Sequence, residues 1–444
     1  MKLSRFILSP GVAALISLGL LLSVSAANPP TPQPQAQKRS RGQSHSQQDE
    51  AMIESELHKM IGVDYRPDDS PNFNYEQTLR ADIEMIEPNI DTPHVQYDSQ
   101  QKTDSGALAS SNCLLFADEF DVLDNSVWRH DLTLTGGGNY EVQAYINNRT
   151  NTYVNDGIFY IRPTLTEYRI GAQALHDGGV LDMWGTDPGT QCTGNYDYGC
   201  YRVAGAGGNI LNPVQSGLVR SVNSFKFRYG KVEVRARMPK GKWIWPAIWM
   251  LPSNYHYGSW PASGEIDIVE SRGNGPEYPG GGYDKVASTL HWGPSYEFNR
   301  FEMTHKEFAL QDGTTFADDF HVFTLDWRPE GIKTFVDNNL MLDVPFTNMY
   351  KKGKFPAWVD NLWANSNAAP FDQEFYLIMN VAVAGTAGYF PDGIGGKPWS
   401  DKSPHAVNEF YAAKDDWYPT WGSESGTSRA LAVDYIRVYK HDCY

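Results

Sequence analysis

Apolar and polar residues alternate in short runs along much of the chain. Gly157-Ile158-Phe159-Tyr160-Ile161, the stretch Gly230–Arg237, the stretch His321–Trp327 and the stretch Ala432–Tyr439 are the clearest cases. Alternation with a period of two marks strands that bury one face and wet the other. Helical spacing is scarce after Ala107, and 40 Gly and 27 Pro punctuate the runs. This pattern predicts an all-β fold over 107–444, a jelly-roll sandwich of two curved antiparallel sheets.

The run that departs from simple alternation is Gly264-Glu265-Ile266-Asp267-Ile268-Val269-Glu270-Ser271. Its β-branched residues favour a strand. On a regular strand Glu265 and Asp267 share a face and Glu270 points away. One extra residue at Ile268-Val269, taken up as a β-bulge, returns Glu270 to that face. Leaning side chains could then close the gap between the two glutamates to the roughly 5–5.5 Å that a retaining glycosidase uses. Three carboxylates so close cannot all ionise cheaply, so at least one is expected to stay protonated to higher pH. The competing reading is a solvated acidic edge strand or a calcium site built on the same clustered oxygens.

Upstream of the sandwich the pattern changes. Residues 1–27 carry Lys2 and Arg5, an apolar run and Ser25-Ala26-Ala27, as a cleaved secretory signal does; an uncleaved membrane anchor is the alternative. Residues 28–106 are rich in Pro, Gln and Ser and read as a mostly disordered linker or N-terminal extension, with marginal helices at Asp49–Met60 and Tyr75–Ile86.

Charge and composition narrow the partner. The formal net charge is −16, which argues against nucleic acid or an anionic membrane and favours a neutral polymer. The 25 Tyr, 20 Phe and 13 Trp suit either stacking surfaces or a large β core. Four cysteines fit an oxidising compartment and allow three pairings; Cys192–Cys200, closing a short loop, and Cys113–Cys443, clamping the domain ends, are the favoured pair. Asn148-Arg149-Thr150 is the expected glycosylation sequon.

The acidic strand has company. Gly241-Lys242-Trp243-Ile244-Trp245-Pro246-Ala247-Ile248-Trp249 precedes it, Trp260-Pro261 leads into it, and Leu290-His291-Trp292-Gly293-Pro294 follows. In these blocks, in this order, the chain resembles family 16 glycoside hydrolases, in particular the laminarinase and β-1,3-glucan-binding branch. The likeness runs from about Phe116 to Tyr439. Insect relatives carry an immunoglobulin-like glucan-binding module at the N-terminal end, and no run of alternating strands answers to it here.

The resemblance implies a secreted, monomeric, retaining endo-β-1,3-glucanase acting on laminarin-type glucan without a cofactor. Glu265 is then the nucleophile, Glu270 the general acid and base, and Asp267 the partner that tunes Glu265. It implies substrate contacts from Trp245, Trp249, Trp260 and Arg220, with core packing or an ion pair as the plainer roles. His291 is expected beside the acid/base, bonding Glu270 or a sugar hydroxyl, with a satisfied structural histidine as the plainer role. Asn380 is either a cleft-facing amide or a buried one satisfied by backbone. Glu119 and Asp434 fall where some relatives hold structural calcium. The alternative function is a non-catalytic β-1,3-glucan recognition protein of innate immunity.

Overall fold

Two eight-stranded antiparallel sheets carry the molecule. The computed structural model describes residues 113–185, 190–310 and 313–441. The expected signal segment, linker and two marginal helices lie outside the described residues.

The first sheet runs in the order Asn339–Pro345, Gly331–Val336, His321–Arg328, Gly230–Arg237, Leu431–Tyr439, Ile158–Ile161, Thr152–Asn155, with Leu114–Asp118 also paired to Leu431–Tyr439. The second runs His305–Ala309, Lys285–His291, Glu265–Ser271, Ile244–Pro252, Phe375–Val383, Leu218–Arg220, Arg129–His130, with Lys226–Phe227 also paired to Phe375–Val383. All four runs read as strands from alternation are strands here, within a residue or so of the expected ends. The result is the all-β jelly-roll sandwich that the pattern predicts.

Alternation explains the packing between sheets. Val232, Val234 and Ala236 of the first sheet join Ile244, Ile248, Met250, Leu377, Met379 and Val381 of the second in one buried cluster. The Gly230–Arg237 strand alternates buried and half-buried without a break, so it offers that core one face only. Phe375–Val383 is buried at every position, because it is central in its sheet and covered on both sides. Its outward residues Tyr376 and Ile378 form a second apolar cluster with Tyr145 and Leu218, joined by Trp249 and Leu251. That outer face, away from the sandwich core, carries the acids.

Helices are brief; the longest among the described residues is Ala406–Ala412. None is long and apolar enough to cross a membrane. Cys192 and Cys200 are bonded, as the short-loop pairing expects. Cys113 is also disulfide-bonded, while Cys443 lies outside the described residues.

Candidate active site

The acidic strand contains the bulge that its composition calls for. Toward Lys285–His291, Asp267 pairs with Thr289 and Glu270 with Ala287, so three steps on one strand match two on the other. Toward Ile244–Pro252, Ile248 faces Val269 and Trp249 faces Asp267, which isolates Ile268 as the extra residue. Ile266, Ile268 and Val269 are all fully buried in the sandwich core. Two successive inward residues are what turn Glu270 outward beside Glu265 and Asp267.

Each glutamate receives an indole N–H. Trp260 Nε1 donates to Glu265 Oε2 at 2.9 Å, and Trp245 Nε1 donates to Glu270 Oε1 at 2.8 Å. Trp245 cannot swing freely: its ring stacks on Tyr389 at 3.7 Å, nearly parallel. The Arg272 guanidinium lies 4.2 Å from the Tyr389 ring and is itself fixed by bonds to the Tyr389 and Gly280 carbonyls. Tyr389 thus takes one face of the indole that the resemblance offers to sugar.

His291 sits elsewhere than expected. It pairs directly across from Glu265, and Glu270 pairs with Ala287. Its Nε2 therefore lies 3.3 Å from Asp267 Oδ2 and 3.7 Å from Glu265 Oε1. The expectation of a bond to Glu270 is corrected by strand register, which gives that role to Trp245. The tautomer follows from the neighbours. Asn299 Oδ1 accepts from the Trp292 and Phe301 amides, so its Nδ2 faces His291 Nδ1, 2.8 Å away. Nδ1 then accepts, and in the neutral ring Nε2 carries the hydrogen toward the carboxylates.

Burial dominates the electrostatics. It pushes Glu265 up to about 8, helped by the charge of Asp267, and outweighs the opposing pull of His291 and the Trp260 bond. Asp267 is raised well above the carboxylate range, again by burial first and the charge of Glu270 second, and it shares a hydrogen bond with Glu265. The pair therefore holds a proton at neutral pH. Placed on Asp267, that proton leaves Glu265 ionised and hydrogen-bonded, the state a nucleophile needs.

Ligand atoms of Glu265, Asp267 and His291 lie within 4.8 Å of one another, the one such group among the described residues. An ion held there has to displace the Trp260 indole N–H from Glu265 Oε2 and release the ligands' protons. The calcium expectation at Glu119 and Asp434 meets a different obstacle. Arg437 grips Glu119 with two bonds of 2.7 and 2.8 Å, and Arg235 pairs with Asp434 at 2.5 Å. An ion there must displace both arginines.

The remaining expected residues separate. Asn380 is buried on the acid-bearing face, where its amide joins Trp249 Nε1 at 2.7 Å to the Tyr145 hydroxyl at 2.9 Å; side chains, not backbone, satisfy it. Arg220 is tied to Asp131 at 2.7 Å and to Tyr376, which is the ion-pair role. Asn148 is half-buried in the loop before Thr152, its Oδ1 accepting from the Thr150 amide at 2.8 Å.

Sequence reasoning passed over Glu141. This buried carboxylate accepts from Gln143 Nε2 at 2.7 Å, Asn139 Nδ2 at 3.0 Å and the Tyr145 hydroxyl at 3.4 Å. Burial lifts it to about 7, and the charge of Glu270 adds to the shift. The signal was present: Glu141, Gln143 and Tyr145 alternate just beyond Gly136-Gly137-Gly138-Asn139-Tyr140.

A model described as glycosyl hydrolases family 16 matches residues 207–370. A β-1,3-glucan-binding protein of Penaeus monodon is 50% identical over 336 residues, covering 74% of this chain and 90% of that protein. A glucan endo-1,3-β-glucosidase A1 of Niallia circulans is 30% identical over 365 residues, covering 80% of this chain and 42% of that protein. Among solved structures, the laminarinase from Rhodothermus marinus is 28% identical over 74% of this chain and 96% of its own, with a TM-score of 0.43. At the identity and coverage of the Penaeus relative, and with the acidic strand inside the matched residues, the chain belongs to glycosyl hydrolase family 16.

Proposed function

We propose that the protein is a secreted endo-β-1,3-glucanase that hydrolyses laminarin-type glucan with retention of configuration. The observation that carries this reading is the pair Glu265 and Glu270, turned to one face by the Ile268 bulge and each held by its own indole donor.

In the cycle, Glu270 protonates the glycosidic oxygen while Glu265 attacks the anomeric carbon. The C–O bond to the leaving sugar breaks as the bond to Glu265 forms, giving a covalent glycosyl-enzyme. Glu270, now ionised, takes a proton from water, whose oxygen attacks the same carbon and frees Glu265. Two inversions give net retention. Asp267 and His291 keep a proton and a donor beside Glu265, so its negative charge is stabilised as it departs from the sugar.

A second reading is favoured by one finding: the Penaeus relative is named for binding β-1,3-glucan. A recognition protein needs the groove and has no need of the proton chemistry. Reducing-sugar release from laminarin separates the two. The enzyme reading expects turnover by the wild type and a loss of at least about 10³-fold in Glu265→Gln with glucan binding kept. Folded wild type that binds laminarin and releases nothing supports recognition instead.

A further inference from the structure

Three tyrosines stand out to solvent on two neighbouring loops: Tyr140 is 61% exposed, Tyr196 64% and Tyr198 78%. The backbone holds two of them in the left-handed region, with φ of 51° at Tyr140 and 59° at Tyr198. Bulky residues adopt that conformation only when the surroundings impose it. The Cys192–Cys200 disulfide braces the loop bearing Tyr196 and Tyr198. At its foot Gly199 has no room for a Cβ, which would lie 2.4 Å from the Gly194 carbonyl oxygen.

This loop is tied to the acid-bearing face. The Leu134 amide donates to the Gly199 carbonyl at 2.8 Å, the Thr133 hydroxyl donates to the Gly194 carbonyl at 2.8 Å, and Thr133 exchanges backbone bonds with Tyr145. Tyr145 in turn bonds Asn380. From the other side, Tyr140, next in the chain to Glu141, stands close enough to Tyr196 to raise its phenol, after burial and the charge of Asp197. The rings are thus fixed to the same framework as the acid-bearing face, and they lie outside the residues that the family model matches.

Flat rings with a hydroxyl at the edge match the faces and hydroxyls of pyranose rings, and two torsions per ring keep the entropy cost low. We propose that Tyr140, Tyr196 and Tyr198 form a remote subsite that stacks sugar residues of a β-1,3-glucan chain running beyond the carboxylates. The protein then grips polymer more tightly than short oligosaccharides. This rests on the reading of the cleft as a β-1,3-glucan site.

The test measures binding in the full chain carrying Glu265→Gln, so that glucan is not consumed. Calorimetry with laminarin and with β-1,3-glucotriose compares that parent with a further Tyr196→Ala/Tyr198→Ala pair and the corresponding Phe pair. The subsite predicts about tenfold weaker laminarin binding in the Ala form, trisaccharide affinity unchanged, and recovery in the Phe form. Unchanged laminarin affinity in the Ala form leaves the rings to a protein partner and overturns the subsite alone, as does equal loss of both ligands. A parent that binds no laminarin overturns the subsite and the proposed function together.

Discussion

Asn299 holds His291 in a single tautomer: its amide nitrogen donates to Nδ1 at 2.8 Å because two backbone amides occupy its oxygen. An Asn299→Asp variant keeps those two backbone bonds and places an acceptor against Nδ1. In the neutral ring the hydrogen then moves to Nδ1, and Nε2 no longer offers a donor to Asp267. Imidazole ¹⁵N shifts should show the hydrogen on Nε2 in the wild type and on Nδ1 in the variant, with kcat lower by about 10-fold or more. Identical ¹⁵N patterns in the two proteins would remove Asn299 from the account.

Asp267 is the second cause, after burial, of the raised Glu265. Asp267→Asn removes the carboxyl that holds the shared proton beside ionised Glu265. In laminarin kinetics kcat should fall by about 10²-fold, because the amide cannot exchange a proton with Glu265 as the nucleophile is consumed and regenerated. An unchanged kcat contradicts the coupling.

Glu141 makes stability depend on pH. Its folded value of about 7 lies above the ordinary glutamate value of 4.5, so the folded state holds a proton that the unfolded chain releases. The stability tied to that proton is complete below about pH 4.5 and is lost as pH rises through about 7. Glu141→Gln cannot titrate. Thermal melts from pH 5 to 8 should show wild type losing on the order of 2–3 kcal/mol relative to the variant. A constant gap across that range is the contrary result.

Trp245 is read as a positioning donor to Glu270. Trp245→Phe keeps an aromatic face for Tyr389 but loses the N–H bond of 2.8 Å. The expected outcome in laminarin kinetics is a kcat lower by about tenfold with KM little changed. A rise in KM with kcat intact would mark Trp245 as a substrate contact instead.

The acidic strand was legible because its bulge is written in residue types: Ile268 and Val269 are adjacent core residues between outward acids. Strand positions were legible wherever one face is wet, as in Gly230–Arg237. Other features depended on tertiary register. His291 belongs to Glu265 only because their strands pair at that position, and the Leu290-His291-Trp292 block does not encode the pairing. Trp245 reads as a sugar-stacking ring until Tyr389, far along the chain, covers one face. Glu141 follows three glycines and starts an alternating run, yet its importance comes from burial near Glu270.

Trapping the glycosyl-enzyme puts the central claim to the most direct test. The wild type is incubated with a 2-fluoro β-1,3-linked glucoside bearing a good leaving group, and the modified peptide is sequenced by mass spectrometry. One sugar ester is expected on Glu265 and none on Glu265→Gln. An ester on Glu270, or no ester on protein that demonstrably binds the glucoside, would contradict it.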